Sequence, residues 1–189
     1  MKKPPIKHLN FLESERLILR PLVVADTKGD YAKWLNDPEV CAENSHAVFP
    51  ATLPALRDYV AKISVSRSDV VLAMELKKGR KHIGNISLQN INWVNRGAEL
   101  AILIGAKSCW GKGYGLEAVT LMVDYGFQKL GLHRIYCGTF AGNKGMSCVA
   151  KKLGFVEEGR RRDSVFKEGK YQDVIEYGLL AGERTGRKK

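Results

Sequence analysis

Hydrophobic and polar positions follow two different periods along the chain, and the two periods predict two kinds of element. Short apolar runs bounded by turn residues predict strands, and apolar positions every three or four residues predict helices. The predicted strands are residues 15–20, 70–76, 82–88, 99–104, 133–140, 155–161 and 171–180. The predicted helices are residues 26–36, 53–63, 116–130 and 145–153. Strands and helices mixed in this order are typical of an α+β domain.

Three local patterns add detail to these elements. Residues 70–76 and 82–88 are joined by the short turn 77–80, which predicts an antiparallel pair. Residues 99–104 are nearly all apolar, which favours a central strand covered on both faces. Thr52 precedes an apolar helical stripe and is therefore expected to cap that helix.

The length and composition favour one domain. A chain of 189 residues with 44% hydrophobic residues can bury a sizeable core but is short for two domains. We expect a basic arm over residues 1–10, a single domain over 11–182 and a basic tail over 183–189. No apolar run approaches the roughly 20 residues that cross a bilayer, so we expect a cytoplasmic protein without a membrane partner.

The charged, cysteine and histidine residues do not by themselves indicate a particular ligand or reaction. The formal net charge of +11 favours a polyanionic partner, but charge alone does not choose among nucleic acid, an acidic membrane surface and a polyanionic small molecule. The four cysteines form no C-x-x-C motif and are interpreted as reduced thiols. The four histidines show no metal-ligand spacing, so no metal is predicted.

A glycine-rich loop, Trp110-Gly111-Lys112-Gly113-Tyr114-Gly115, leads into the predicted helix 116–130. Glycines let the backbone approach an anion, and a helix N-terminus offers unpaired N–H groups and a partial positive charge. A phosphate is the natural ligand. The Walker A motif is absent, and a dinucleotide site lacks the acidic residue expected after the next strand. A plain strand-to-helix turn is the structural alternative.

The loop resembles the [QR]-x-x-G-x-[GA] motif of the GNAT superfamily of acetyltransferases, with Trp110 in place of Gln or Arg. The segments S-E-R-L-I-L-R-P-L, W-L-N-D-P-E-V, N-K-G-M-S-C-V-A-K-K-L-G-F and G-K-Y-Q-D-V-I-E-Y-G-L-L are similar to the RimJ/RimL-like branch of that superfamily. The resemblance covers most of the chain. It implies a mixed, mostly antiparallel sheet flanked by helices and splayed at an acetyl-CoA site.

The resemblance also implies the residues that bind acetyl-CoA, which is a co-substrate here. Backbone groups of the strand before the loop would hold the thioester and the pantetheine arm, and the loop would hold the pyrophosphate. Asn143 would hydrogen-bond the pantetheine region or, alternatively, only cap the next helix. Lys107, Lys112 and Lys144 are further candidates for the phosphates. The predicted cofactor-binding residues are Ile102, Leu103, Ile104, Trp110, Gly111, Lys112, Gly113, Tyr114, Gly115 and Asn143.

Two residues are candidates for proton transfer. Glu99 begins an apolar strand, where partial burial would raise its pKa enough for it to accept a proton. The alternative is a carboxylate paired with a nearby cation. Many relatives place a Tyr or a Ser as proton donor where this chain has Ala150 and Met146. Ser147 is the neighbouring hydroxyl, although it points about 100° away around a helix.

The acceptor is expected to be an amine on a small molecule, a nucleotide-linked amino sugar or a protein N-terminus. In the family the first two helices and their loop wall the acceptor cleft. The predicted substrate-binding residues are Trp34, Asn36, Asp37, Glu39, His46 and Trp93. The leading hypothesis is an N-acetyltransferase that does not bind nucleic acid, with a homodimer as a plausible assembly. A catalytically silent acyl-CoA-binding module is the alternative.

Overall fold

Eight strands form one sheet in the computed structural model, which describes residues 9–185. The strands are β1 (Leu12–Glu13), β2 (Leu17–Pro21), β3 (Val70–Leu76), β4 (His82–Asn92), β5 (Gly97–Ile104), β6 (Arg134–Phe140), β7 (Val156–Lys167) and β8 (Lys170–Leu180). Their order across the sheet is β1-β2-β3-β4-β5-β6-β8-β7. Neighbouring strands are antiparallel except β5 and β6, which are parallel. The predicted α+β fold with a mixed, mostly antiparallel sheet is confirmed.

Five α-helices flank this sheet within residues 9–185. They are α1 (Tyr31–Leu35), α2 (Leu53–Ser64), α3 (Tyr114–Gln128), α4 (Lys144–Leu153) and α5 (Ala181–Thr185). Two short 3₁₀ turns lie at Val24–Lys28 and Lys107–Cys109. The hydroxyl of Thr52 accepts a hydrogen bond from the amide of Ala55 at 3.4 Å, which confirms the predicted cap of α2. No helix of the described range is long and apolar enough to span a membrane.

The core lies mainly between the sheet and α3. Val119, Met122 and Val123 of α3 are fully buried. Gly126 lets α3 pack tightly against the sheet, because a Cβ added there would lie 2.8 Å from Ile135 and 3.0 Å from Leu88. Since Leu88 and Ile135 belong to β4 and β6, α3 covers the centre of the sheet. Because side chains alternate along a strand, every second residue of these strands points to the face that α3 does not cover.

The predicted helix 26–36 is wrong as one element. A 3₁₀ turn covers Val24–Lys28, and α1 begins only at Tyr31. The carboxylate of Asp26 accepts hydrogen bonds from the amide of Val23 and the guanidinium of Arg20, both at 2.9 Å. These contacts fix a tight turn, and Gly29 then separates it from α1. Pairing of Asp26 with Arg20, six residues earlier, thus overrides the helical pattern.

The predicted burial of strand 99–104 on both faces is also wrong. Ala98 and Leu100 of β5 are buried, but Glu99 and residues 101–104 are only partly buried. The reason is the pairing with β6, which covers only Gly97–Glu99. Other boundaries differ by a few residues, and β7 extends six residues beyond the predicted end at Arg161. The four cysteines are free thiols, as interpreted from the sequence.

The predicted basic arm and basic tail lie largely outside the residues that the structure describes. Residues 1–8 and 186–189 are not among the described residues. The described part of the tail segment, from Glu183 onward, belongs to α5. Here Arg184 pairs with Asp124 of α3 at 2.9 Å.

Candidate active site

The sheet opens between β5 and β6. Glu99 is the last residue of β5 that pairs with β6, opposite Tyr136. Beyond it, β5 continues to Ile104 beside β4, and β6 continues to Phe140 beside β8. The β5 edge over residues 100–104 therefore faces β6 without ladder pairing. Backbone N–H and C=O groups on such an edge are available to a ligand.

The glycine loop lies at this opening. Gly111 and Gly113 have φ values of +70° and +81°, a left-handed conformation that glycine adopts without strain. Gly113 precedes the first residue of α3, and within residues 9–185 no side chain caps that helix end. Gly115 lies close to Ile104, since a Cβ added to it would sit 3.4 Å from the Ile104 Cδ1 atom. The first N–H groups of α3 therefore remain available for an anion beside the end of β5.

Arg16, which is distant from this loop in the sequence, holds the loop through direct contacts. Its guanidinium donates to the carbonyl oxygen of Lys112 at 3.0 Å and to the carboxylate of Glu117 at 2.7 Å. It also lies 4.5 Å from the ring centroid of Tyr114, a cation–π contact. Burial alone raises the pKa of Glu117, but hydrogen bonds from Ser14 and Arg16 outweigh it and hold that pKa below its ordinary value. The loop shape thus depends on a residue far away in sequence.

Trp110 fills the place of the polar residue in the resembling motif. Its indole N–H donates to the carbonyl oxygen of Ile104 at 2.7 Å. The side chain is 38% exposed. Trp110 therefore ties the beginning of the loop to the last residue of β5.

Asn143 sits at the start of α4 and acts as its N-cap. Its side-chain oxygen accepts a hydrogen bond from the amide of Met146 at 2.9 Å, and its amide group lies 3.5 Å from the carbonyl oxygen of Glu43. Ser147 follows one turn later and is half-buried on α4. Ala150 of α4 is fully buried, so its position faces the core. The capping alternative describes Asn143 in this structure, and a contact with acetyl-CoA stays a prediction.

The ammonium group of Lys107, a candidate for binding phosphate, is already paired with two carboxylates. Its ammonium group lies 2.8 Å from Asp37 and 2.5 Å from Glu39. Hydrogen bonding to these two carboxylates raises the pKa of Lys107, and the bond from Lys107 lowers the pKa of Asp37. Three residues predicted for two different ligands thus satisfy one another. These ion pairs connect the 3₁₀ turn before the glycine loop to the segment that follows α1.

A cleft of about 330 Å³ lies on the sheet face opposite α3. Strand alternation places Tyr136 on the face away from Ile135, and Glu99 shares that face. The carboxylate of Glu99 accepts a hydrogen bond from the side chain of Asn90 at 3.1 Å. The cleft is lined by Ser45, Glu99, Tyr136, Gly138, Phe140, Arg161, Val165, Val174 and Glu176. Glu99 is therefore at the point where the cleft meets the opening between β5 and β6.

The six predicted acceptor residues lie outside this lining. Trp34 is 7% exposed, and its ring packs against Gly105, where an added Cβ would lie 1.9 Å from a ring atom. Asn36 exchanges hydrogen bonds with the backbone of Ala51 at 2.8 and 2.9 Å. Trp93 is half-exposed at the turn after β4 and donates to the carbonyl oxygen of Arg67. Contact of these six residues with an acceptor stays a prediction.

His46 belongs to the segment that borders the cleft. It lines a second cavity of about 220 Å³ with Phe49 and other residues of the same segment. Its carbonyl oxygen accepts a hydrogen bond from the ammonium group of Lys167 at 2.8 Å. This contact joins the segment before α2 to the hairpin of β7 and β8. Ser45, the preceding residue, lines the main cleft.

Sequence reasoning missed the residues that β6, β7 and β8 contribute to the cleft. Tyr136, Gly138 and Phe140 alternate along β6, and Val174 and Glu176 alternate along β8. This period of two was visible in the sequence, but the face that it exposes depends on the strand register. No group of three or more potential metal ligands occurs among the described side chains. The expectation that the protein uses no metal stays a prediction.

Comparisons with known proteins agree with this geometry. The sequence model of the acetyltransferase (GNAT) domain matches residues 16–156. YdaF of Bacillus subtilis is 38% identical over 105 residues, a match that spans 56% of this chain and 57% of YdaF. The uncharacterized N-acetyltransferase p20 of Bacillus licheniformis is 31% identical over 178 residues, covering 93% of this chain and 98% of p20.

A solved structure is similar over nearly the whole fold. It is the spermidine N-acetyltransferase from Vibrio cholerae in complex with CoA and spermine. The TM-score is 0.83 at 26% sequence identity, and the match covers 91% of this chain and 99% of that chain.

Proposed function

The chain belongs to the GNAT acetyltransferase family, and from this premise we propose that it transfers an acetyl group from acetyl-CoA to a primary amine. The acceptor is a small molecule, a nucleotide-linked amino sugar or a protein N-terminus. The observation that carries the proposal is one juxtaposition. The uncapped start of α3 and the Glu99 cleft both border the opening between β5 and β6.

The residues at the opening fit a CoA thioester. The N–H groups at the start of α3 suit its pyrophosphate, because they are unpaired donors at the positive end of a 15-residue helix. The edge of β5 at Ile102, Leu103 and Ile104 has no strand partner on the side of β6, and it suits the pantetheine arm, which carries amide groups. Lys112, Lys144 and Asn143 lie at the starts of α3 and α4 and are assigned to the same ligand. Acetyl-CoA supplies the acetyl group as an activated thioester.

The chemistry requires a neutral amine and a path for two protons. In direct attack within a ternary complex, the amine nitrogen bonds to the acetyl carbon and the carbon–sulfur bond breaks. We assign Glu99 to accept the proton that the amine loses, directly or through water. The sulfur of CoA leaves as a thiolate and gains a proton, for which Ser147 is the proposed donor. A thiol pKa of about 8.5 makes this leaving group tolerable without a strong acid.

A catalytically silent acyl-CoA-binding module is the second candidate. It is favoured by one observation, the absence of a Tyr or Ser at the donor positions, which Met146 and buried Ala150 occupy. We further propose the RimJ/RimL-like branch, one domain over residues 11–182, a cytoplasmic location and a homodimer.

The proposal is tested by incubating the full chain with acetyl-CoA and a panel of amines. The panel contains N-terminal peptides, linear polyamines, aminoglycosides and nucleotide-linked amino sugars. Release of free thiol that depends on both acetyl-CoA and one amine class, with acetylated amine found by mass spectrometry, supports the enzyme. Binding of acetyl-CoA without turnover of any amine supports the silent module. Failure to bind acetyl-CoA contradicts both.

A further inference from the structure

We propose that Glu176 binds a second positive charge of the acceptor, and that Arg161 occupies this position when the acceptor is absent. The inference rests on the proposed function and narrows its substrate class. It selects a linear amine with two separated cationic nitrogens. Glu176 then acts as a specificity-determining residue, and Glu99 stays the residue at the reacting nitrogen.

Glu176 and Glu99 lie on the same face of the sheet, which forms the floor of the cleft. Glu176 on β8 pairs with Gly138 on β6, while Glu99 on β5 pairs with Tyr136 on β6. Residues 136 and 138 project from the same face of β6. A Cβ added to Gly138 would lie 3.2 Å from the Oε2 atom of Glu176. The missing side chain therefore leaves this carboxylate open along the floor.

The strand register sets the separation of the two carboxylates. Glu99 and Glu176 lie two strands apart and are offset by two residues along β6. Standard strand spacings then place their Cα atoms about 12 Å apart. The two carboxylates therefore belong to different strands of the cleft floor, and each can pair with a different ammonium group. A chain with two amines separated by several carbons can reach both.

Arg161 is the resident cation at Glu176. Its Nε atom lies 2.6 Å from the Oε1 atom, and its side chain is 61% exposed on the edge strand β7. An ion pair this exposed is worth about 1 kcal/mol or less, because water screens it and two side chains must be ordered. The ammonium group of an acceptor can therefore displace Arg161 at little cost. Arg161 would swing outward and leave Glu176 to the ligand.

The charges of the cleft distinguish among the three acceptor classes. The pyrophosphate of a nucleotide-linked sugar would face two carboxylates, an unfavourable arrangement in a confined space. A peptide N-terminus supplies one positive charge and leaves Glu176 with Arg161. A linear diamine supplies one charge to each carboxylate. The protein as a whole carries a net charge of +11, so the two carboxylates give the cleft a local charge opposite to that of the whole protein. This local negative charge favours a cationic acceptor.

The test compares 1,4-diaminobutane with 1-aminobutane in the wild type and in Glu176→Gln and Arg161→Gln variants. We expect Glu176→Gln to raise KM for the diamine about tenfold and to leave KM for the monoamine and acetyl-CoA within about twofold. Arg161→Gln should lower KM for the diamine, since it removes the competitor. Opposite shifts from the two partners of one ion pair would not arise if the pair were only structural.

Arg160→Gln is the matched control. Arg160 is the adjacent residue of β7 and pairs with Asp173 at 2.6 Å, but it does not line the cleft. This variant should change neither KM. The inference is overturned if Glu176→Gln affects both amines equally or neither, or if Arg161→Gln raises KM for the diamine.

A binding measurement separates this inference from the proposed function. Calorimetric titration of 1,4-diaminobutane into the CoA-bound protein requires no turnover. Weaker binding to Glu176→Gln and tighter binding to Arg161→Gln support the inference even if no amine is acetylated, an outcome that would contradict only the enzymatic proposal. Equal binding to the three proteins overturns the inference even if acetylation occurs.

Discussion

Arg16 and Glu117 are joined by a hydrogen bond of 2.7 Å between the Nε and Oε2 atoms, although 101 residues separate them in the chain. The backbone amide of Arg16 also donates to Glu117, at 2.8 Å. Glu117 lies in the first turn of α3. The pair thus fixes the start of β2 against the helix end that we assign to the CoA pyrophosphate.

Arg16→Ala is predicted to raise KM for acetyl-CoA about 5- to 30-fold. The variant loses the charged hydrogen bond to the Lys112 carbonyl and the guanidinium that pairs with Glu117, a loss of about 1–2 kcal/mol. Glu117 keeps its hydrogen bonds from Ser14 and from the backbone amide of residue 16. Steady-state kinetics with a saturating amine checks this. Arg16→Lys should recover part of the loss, because it keeps the charge without the fork geometry. A change in kcat with constant KM would contradict a role in holding the loop.

Most elements of the fold could be predicted from the sequence, but the contacts of Arg16 with the glycine loop could not. Strand and helix periods are local, so β3, α2 and α4 could be placed to within one residue. The contact between Arg16 and Lys112 is not local, and no pattern near either residue indicates it. The same holds for Lys107, which looked like a phosphate ligand until the fold placed it beside Asp37 and Glu39.

Trp34 shows a second limit of sequence reasoning. An aromatic residue near the end of a short helix suits an acceptor site as well as a core. The choice depends on Gly105, which is 71 residues later and lacks the side chain that would exclude the indole ring. Glu99 differs, because its place at the start of an apolar strand was enough to bring it to the cleft. Its partner Glu176 required the register of β6 and β8.

Asp26→Asn is predicted to destabilise the fold by about 3–5 kcal/mol at pH 7. Arg20 is nearly buried between Asp26 and Glu75, at 2.8 Å from each, and the variant removes one of its two carboxylates. Urea unfolding of wild type and variant measures the difference. Asp30→Asn is the control, since Asp30 forms an exposed pair with Lys33 and should change the free energy of unfolding by less than about 0.5 kcal/mol.

The effect of Asp26 should also depend on pH. Burial alone raises the pKa of Asp26, but hydrogen bonds from Arg20 and the Val23 amide outweigh it and hold the pKa below the ordinary 3.8. A lowered folded-state pKa stabilises the fold above the unfolded pKa, and this stabilisation is lost as the pH falls through the folded value. The gap between wild type and Asp26→Asn should therefore be full at pH 7 and shrink below about pH 4. A gap that grows on acidification would contradict this account.

Glu99→Gln is predicted to lower kcat about 100-fold or more while KM for acetyl-CoA stays within about threefold. The amide keeps the shape of the side chain and its position beside Asn90 but cannot accept the amine proton. The measurement is the pH profile of kcat. The variant should recover rate as the pH rises, because bulk hydroxide then supplies the neutral amine. Glu157→Gln, on the exposed strand β7, is the control. A uniform rate loss at every pH would assign Glu99 a structural role instead.

The most direct test of the central claim is acetyl transfer by Gly113→Asp, compared with Gly131→Asp. Both glycines have positive φ, +81° and +65°, so both substitutions strain the backbone similarly. Only Gly113 lies at the start of α3, where a carboxylate would repel the CoA pyrophosphate. The account predicts that Gly131→Asp transfers acetyl to its amine at a rate near the wild type, while Gly113→Asp loses acetyl-CoA binding and transfer. Equal transfer by the two variants would contradict the assignment of the glycine loop to acetyl-CoA.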